Sequence, residues 1–327
     1  LCYPVEDRHL EQIQHTAPDA EIVNASQEGI NDALPEADIF CGHAKVPVDW
    51  QRVVDQGRLR WIHSSAAGMD HCLVPPVIAS DIRVSSSSGL FADQVAEQTM
   101  ALLLGHLRRL PLFLAQQHRR EFVRRPTDDL HGKTVGIVGF GGNGRRIAEI
   151  LAPYRVRMIA TDAYPVDRPS HVEQLWPADA LDQLLEASDI VILGLPLNAS
   201  TYHLLDAPRL AKMRRGAILV NVARGQIVEE AALVDALKQG QIAGAVVDVT
   251  EVEPLPTDSP LWEMPQVIIT PHVGAQSAVR VDDTTNFFCC NLTRYLNQQT
   301  IWNEVDKDLG FPKPEHRAPS NWKSSSI

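Results

Sequence analysis

The chain has 327 residues and a net charge of −11, so it lacks the excess of Lys and Arg that a nucleic-acid backbone or an anionic membrane surface demands. With 44% hydrophobic and 22% charged residues it reads as globular, and its length suggests two domains. Five cysteines without metal-ligand spacing point to reduced thiols in a cytoplasmic protein, not to a disulfide scaffold or a metal centre.

Residues 1 to about 92 alternate short apolar runs with polar helical stretches. EIVNA (21–25), ADIFCG (37–42), LRWIHSS (59–65) and IRVSS (82–86) read as strands. Asp7 to His15 and Val48 to Gln56 read as helices. The small-residue loop from Ser64 to His71 follows a strand, and its free N–H groups suit either a carboxylate or a plain turn. A long helix starts at Asp93, with Asp93 or Ser88 available to cap it, and ends near Pro111. A second helical run, residues 112–123, leads into a polar connector from Arg124 to Gly132. These two helices suit a domain bridge, a dimer interface or the completion of one domain's core.

Residues Lys133 to Asp162 organise the chain. The apolar run TVGIVGF ends in Gly139-x-Gly141-x-x-Gly144; a helical pattern carries Ile147, Ala148, Ile150 and Leu151 on one side; the run VRMIAT then closes on Asp162. Strand, glycine turn, helix, strand and acid in about thirty residues form a dinucleotide-binding unit. Glycine lets the backbone turn tightly and approach a pyrophosphate, whose charge sits at the helix N-terminus. Asp162 is placed to accept hydrogen bonds from ribose hydroxyls and to repel a 2′-phosphate, which favours NAD over NADP. Asn143 stands where such turns usually carry an apolar residue.

Beyond Asp162 the alternation continues. Residues 189–196, 217–223, 243–249 and 266–271 read as strands, and 179–187, 208–213 and 229–239 as helices. With the first two strands that makes six, enough for a doubly wound sheet. A last helix covers 291–299. The end of the chain, 311–327, is rich in proline and serine and is expected to be extended or disordered. There is no signal peptide and no bilayer-length apolar run, and Leu1 suggests that the native start lies upstream.

Ligands of doubly wound sheets bind beyond the carboxyl ends of the strands. Those ends carry the glycines, then Asp162, then Leu195-Pro196-Leu197. Next come Asn221-Val222-Ala223-Arg224-Gly225, Asp248 with Glu251 and Glu253 just after it, and Pro271-His272. An arginine, a carboxylate and a histidine therefore converge on the dinucleotide edge. Singly, each has an ordinary reading as a loop charge or a structural histidine; their convergence is what points to chemistry.

NVARGQIVEEAALVDAL, GAVVDVTEVEPLPTDSPLW, VIITPHVGAQS, GFGGNG, AAGMDH and VAEQTMALLL, in their order, resemble the signatures of the D-isomer-specific 2-hydroxyacid dehydrogenases. The resemblance runs from about residue 38 to 310. It implies two doubly wound α/β domains around a cleft, a Rossmann NAD-binding domain (93–287) inserted into a flavodoxin-like substrate domain (1–92 and 288–327), with hinges near 93 and 287. It further implies that Arg224 binds the substrate carboxylate and polarises the carbonyl, that His272 exchanges a proton with the carbonyl oxygen, and that Glu253 pairs with His272. Glu253 is chosen over Glu251 because the family places this acid five residues after the strand-end aspartate. Gly139, Gly141, Gly142, Asn143, Gly144, Asp162, Leu195, Pro196, Thr201, Ala223 and Asp248 would contact NAD, with Asp248 at the nicotinamide carboxamide. Ala67 and Gly68 would offer N–H groups to the substrate, a small 2-oxo or 2-hydroxy acid, and the protein would be a homodimer.

The sequence departs from the family pattern at Asn143, at GLPLNAST and in the serine-rich SSAAGMDH and SSSSGLF segments. These positions surround the phosphate and substrate sites, so glyoxylate, hydroxypyruvate and 3-phosphoglycerate all stay open as substrates. Lys45, Arg58 and Arg60 would suit a phosphate or simply a solvated face. An NAD-sensing binding protein of the corepressor kind, on the same fold, is the alternative from another class. A formate dehydrogenase ranks lower, since that group places glutamine where Glu253 stands.

Overall fold

The computed structural model describes residues 1–319 and Trp322. The chain divides into two compact units, one of Leu1–Phe91 with Ser277–Ile327 and the other of Ala92–Gln276. The first contains α1 (Asp7–Thr16), α2 (Ile30–Ala33), β1 (Ile39–Gly42), α3 (Trp50–Gln56), β2 (Trp61–Ser64), α4 (Pro75–Ile78) and β3 (Arg83–Ser85). The second contains α5 (Ala92–Leu107), α6 (Leu110–His118), β4 (Thr134–Val138), α7 (Gly142–Leu151), β5 (Arg157–Asp162), β6 (Gln174–Pro177) and α8 (Leu181–Ala187). It continues with β7 (Ile190–Leu193), α9 (Ala207–Lys212), β8 (Ala217–Asn221), α10 (Glu230–Lys238), β9 (Ile242–Val247) and β10 (Val267–Ile269). The first unit then resumes with α11 (Arg280–Leu296).

In the second unit seven parallel strands run in the order β10-β9-β8-β7-β4-β5-β6. The order reverses between β4 and β7, which is the switch point where such sheets bind ligands. β4, β7 and β8 are buried along their whole length, as parallel strands covered on both faces must be. One face packs Leu184, Leu185, Leu210, Leu233 and Leu237 of α8, α9 and α10; the other packs Met100, Leu103, Leu107, Ile147 and Leu151 of α5 and α7. So α5 completes the core of this unit. α6 behaves differently, burying only Gln116 and leaving Leu110 and Leu114 about half exposed.

The seventh strand, β6, was not expected. It sits at the sheet edge with two half-buried and two exposed residues, so it carries no continuous apolar signal. The expected helix over 112–123 stops at His118. Asp93 does not act as a cap; its carboxylate accepts from Arg146 Nε of α7 at 2.5 Å.

In the first unit β1, β2 and β3 pair in parallel. Cys2 extends the row beside β1, its N–H donating to Cys41 O and its own O accepting from His43 N. EIVNA is not a regular strand: Ala25 N donates to Leu1 O at 3.1 Å, the Leu1 amino group to Val23 O at 2.5 Å, and Ala25 O accepts from Gly29 N at 2.9 Å. Phe40, Trp50, Val53, Ile62 and Val84 fill one side of the sheet, and Tyr3, Ile13, Trp61, Phe288 and Leu292 the other.

The second passage between units falls at 276/277, not at 287/288, because α11 is one helix and is packed into the first unit from its first turns. Asp282 accepts from His9 at 2.6 Å, and the Thr285 hydroxyl bonds the Tyr3 hydroxyl at 3.0 Å. The chain end also differs from expectation. Asp306 N bonds Phe311 O, Pro314–His316 form a 3-10 turn, Ala318 N donates to Asn303 Oδ1, and buried Trp322 meets Phe287 edge-on at 5.0 Å. Residues 320, 321 and 323–327 lie outside the described residues. All five cysteines are free thiols. Among the described residues no helix is long and apolar enough to cross a membrane, and no cluster of His, Cys, Asp or Glu is arranged to hold a metal.

Candidate active site

The glycine turn links β4 to α7, and its three fingerprint glycines meet different demands. Gly139 has φ +90°, and a Cβ there would stand 2.7 Å from the Leu195 backbone at the end of β7. A Cβ on Gly144 would stand 2.2 Å from Gly139 O, so this glycine lets the helix lie against the turn. Gly141 caps α7 with an extended backbone (φ −77°, ψ −154°) and no side-chain cap. A Cβ there meets nothing within 4 Å. The protein itself does not require a glycine at 141; the open space before an uncapped helix start fits a phosphate. Gly142 opens the helix, and the half-buried Asn143 follows in its first turn.

Asp162 ends β5 and holds this turn from the side. Its Oδ2 accepts from Phe140 N at 2.6 Å and its Oδ1 from Tyr164 N at 2.8 Å. Each carboxylate oxygen keeps a further lone pair for a hydroxyl. Arg145, over the Phe140 ring at 5.0 Å, donates to the carbonyls of Val166 and Asp167. After β7, half-buried Leu195 and Pro196 lead into a turn closed by Thr201, whose hydroxyl donates to Pro196 O at 2.7 Å and accepts from Asn198 N at 2.8 Å.

β8 ends at buried Asn221, whose side chain bonds Ala223 N and Arg224 O. That fixes the turn carrying buried Ala223 and half-buried Arg224. Arg224 Nη1 donates to Ala223 O at 2.8 Å. A Cβ on Gly225 would overlap Thr250 O at 1.8 Å, so only glycine lets this turn lie on the loop after β9.

That loop and the one after β10 carry the acid and the histidine. Glu253 Oε2 stands 2.8 Å from His272 Nδ1, and its Oε1 accepts from Thr250 N at 3.2 Å. Burial pushes the Glu253 carboxyl up, but the His272 contact, the Thr250 N–H and the Arg224 charge together hold it below the ordinary carboxylate range. His272 has φ +53°, in a turn gathered by Asp248, and its N–H donates to Asp248 O at 2.7 Å. Asp248 Oδ1 accepts from the Thr270 hydroxyl and Val273 N, and Oδ2 from Gly274 N. Its side chain is 2% exposed, so in this structure Asp248 serves the His272 turn, a task the sequence reading did not assign to it. With Nδ1 on Glu253, Nε2 of the half-exposed imidazole is the nitrogen left to exchange a proton with a ligand.

In the first unit, Ala67 and Gly68 follow β2. Among the described residues their backbone N–H groups make no hydrogen bond, while Ala66 on the same loop is tied at N to Ser64 Oγ and at O to Ser87 N. Within the second unit a further histidine–carboxylate pair stands beside that of His272 and Glu253: His203 Nε2 lies 2.8 Å from Glu251 Oε1. On sequence alone Glu251 stands only as a rival to Glu253, and no pattern links it to a histidine 48 residues earlier.

A parallel sheet with a glycine turn at its switch point, and an arginine, acid and histidine on neighbouring strand ends, defines a nucleotide-dependent oxidoreductase. Residues 100–274 match the family model described as the D-isomer specific 2-hydroxyacid dehydrogenase NAD binding domain. A glyoxylate reductase of Thermofilum pendens is 38% identical over 267 residues, 78% of this chain and 77% of the relative. A D-3-phosphoglycerate dehydrogenase of Mycobacterium tuberculosis is 35% identical over 76% of this chain, which spans about half (47%) of that longer relative. Among solved structures, a D-isomer specific 2-hydroxyacid dehydrogenase of Xanthobacter autotrophicus, in complex with NADPH and MES, superposes with a TM-score of 0.81 at 28% identity, over 95% of this chain and 97% of that one. A glyoxylate/hydroxypyruvate reductase of Sinorhizobium meliloti, described as NADPH-dependent, gives 0.75 at 26% identity, over 92% and 96%. The chain belongs to the D-isomer specific 2-hydroxyacid dehydrogenase family.

Proposed function

We propose that the protein reduces a small 2-oxo acid to its D-2-hydroxy acid with NADH, using Arg224, His272 and Glu253. The observation that carries the reading is the 2.8 Å contact of Glu253 with His272 Nδ1, on a loop whose carboxylate also feels the Arg224 charge. NADH held at the Gly139–Gly144 turn and Asp162 would supply the hydride that the 2-carbon receives. Arg224 holds the substrate carboxylate with its planar fork and polarises the carbonyl. His272 gives the Nε2 proton to the carbonyl oxygen, which becomes the hydroxyl, and takes it back in the oxidation direction. Glu253 orients the ring through Nδ1 and compensates the positive charge of the loaded donor. In the first unit, the N–H groups of Ala67 and Gly68 are the donors we assign to the substrate carboxylate.

Asp162 supports NAD over NADP, because a carboxylate that already accepts two backbone N–H groups stays an acceptor and repels a 2′-phosphate. Arg58 is paired with Asp38 and Glu36, which supports glyoxylate or hydroxypyruvate ahead of a phosphorylated acid. A homodimer is supported by exposed apolar side chains along 110–123: Leu110, Leu114 and Val123 are about half exposed and Phe122 is 99% exposed. A cytoplasmic setting fits the free thiols.

The test is NADH oxidation, followed by absorbance, with glyoxylate and hydroxypyruvate, alongside NAD reduction with 3-phosphoglycerate. NADPH and His272→Ala serve as controls. Turnover of one acid that falls about 10²–10⁴-fold in the variant is the expected result. Tight NADH binding with no turnover across the panel would instead favour a cofactor-sensing protein. Sedimentation of the wild type and Phe122→Asp tests the dimer.

A further inference from the structure

We infer that Glu251, with His203, is a positioning residue that fixes the Arg224 turn relative to the Glu253–His272 pair. This rests on the functional reading above and extends it to two residues with no assigned role.

The loop after β9 carries its two glutamates two residues apart, and they hold different neighbours. Glu253 takes His272. Glu251 takes the other side: Oε1 meets His203 Nε2 at 2.8 Å, and Oε2 accepts from Glu230 N, the first residue of α10, at 2.8 Å. The residue preceding α10, Glu229, makes no side-chain cap, so Glu251 supplies from a neighbouring loop the acceptor that the helix start lacks. The Glu251 carbonyl is also engaged, accepting from Gln226 Nε2 at 3.0 Å.

His203 closes the same circuit. Its N–H donates to Gln226 O at 2.8 Å, and Leu205 follows with Leu205 N to Ile227 O and Glu229 N to Leu205 O. The segment directly after Arg224, residues 225–230, is thus gripped from the β7 loop by His203 and Leu205, and from the β9 loop by Glu251. Gly225 lies so close to Thr250 that the two loops share one backbone contact. Thr250 ties this contact to the acid, its N–H on Glu253 Oε1 and its hydroxyl on Val252 O. One four-residue stretch, Thr250 to Glu253, therefore touches both the turn that carries Arg224 and the histidine. Removing the Glu251 carboxylate takes away its hold on His203 and on Glu230 N, which loosens the Arg224 side of this link and leaves the Glu253–His272 contact in place. The consequence falls on carboxylate binding before it falls on proton transfer.

The experiment compares wild type, Glu251→Ala, Glu251→Gln and His203→Ala. Steady-state rates are measured with the best acid of the panel, and calorimetric binding with oxamate as a non-reacting 2-oxo-acid mimic in the presence of NADH. Glu251→Ala is expected to raise KM and the oxamate Kd about tenfold, with kcat changed less than threefold, the same pH–rate profile and an unchanged NADH Kd. Glu251→Gln keeps an oxygen for Glu230 N and an amide for His203, and should recover most of the loss. The double variant Glu251→Ala/His203→Ala should be no worse than Glu251→Ala alone, because the two act as a unit. Wild-type KM and oxamate Kd in Glu251→Ala, or a loss in kcat with a displaced pH profile, would overturn the inference. If the wild type binds oxamate but reduces no acid, weakened oxamate binding in Glu251→Ala still upholds the positioning role while the proposed reaction falls. Absence of both turnover and oxamate binding in the wild type would overturn both, and where an acid is turned over without oxamate binding, a wild-type KM in Glu251→Ala overturns the inference alone.

Discussion

The glycine turn separates stability from cofactor binding in a way two alanine substitutions can test. At Gly144 the new methyl would lie 2.2 Å from Gly139 O, more than 1 Å inside normal contact, with backbone as the obstacle. Overpacking of that kind costs about 1–3 kcal/mol, and for a unit of this size each kcal/mol lowers Tm by about 2–4 °C. Gly144→Ala should therefore melt about 2–12 °C below wild type. At Gly141 the methyl meets nothing within 4 Å, and the backbone is extended at φ −77°. The gain from a less flexible unfolded chain, about 0.4–1 kcal/mol, roughly offsets the few tenths lost by replacing glycine at a helix cap. Gly141→Ala should melt within about 3 °C of wild type. If the open space receives the pyrophosphate, the same methyl keeps the phosphate from the helix N–H groups, and NADH affinity should fall about tenfold or more, about 1.4 kcal/mol. Scanning fluorimetry and NADH fluorescence titration read the two effects. A Gly141→Ala protein that binds NADH like wild type would refute the placement of the pyrophosphate, and one that melts as low as Gly144→Ala would refute the steric argument.

Three further outcomes are expected. Asp162→Ser should narrow the preference for NADH over NADPH by raising kcat/KM for NADPH at least tenfold, and should also loosen the turn, since Phe140 N and Tyr164 N lose their acceptors. Glu253 is held below the ordinary carboxylate range, so its stabilising contribution is present above the unfolded value, about 4.3, and lost as pH falls through the lower folded value. The difference in urea midpoint between wild type and Glu253→Gln should therefore shrink as pH falls below about 4. His63 is fully buried among Trp61, Phe287 and Phe288, and burial pushes its imidazole down to about 3. Its unfolded form, near 6.5, takes up a proton first, so stability is lost as pH falls below that value, by about 2 kcal/mol at pH 5. His63→Leu should lose less stability than wild type between pH 7 and 5, and equal losses would refute the assignment.

What the sequence determined by itself was whatever depends on local pattern. Buried parallel strands are continuous apolar runs, so β4, β7 and β8 stand out, and Gly139-x-Gly141-x-x-Gly144 between a strand and a helix marks a turn whatever surrounds it. Strand ends can be read off as well, so Arg224, the Glu251 and Glu253 pair and His272 fall on one sheet edge by pattern, while the family resemblance is what singles out Glu253. The tertiary structure decided what depends on residues distant in sequence. β6 is an edge strand with little buried surface, so only pairing with β5 identifies it, and EIVNA has strand composition but too little chain beside it to form one. α11 belongs wholly to the first unit because Tyr3, Trp61 and His9 wait for it there. Asp248 turned inward to hold the His272 turn because three donors of the β10 loop meet it. Glu251 and Glu253 are chemically identical and two residues apart; only the fold, by bringing His203 to one and His272 to the other, gives them different tasks.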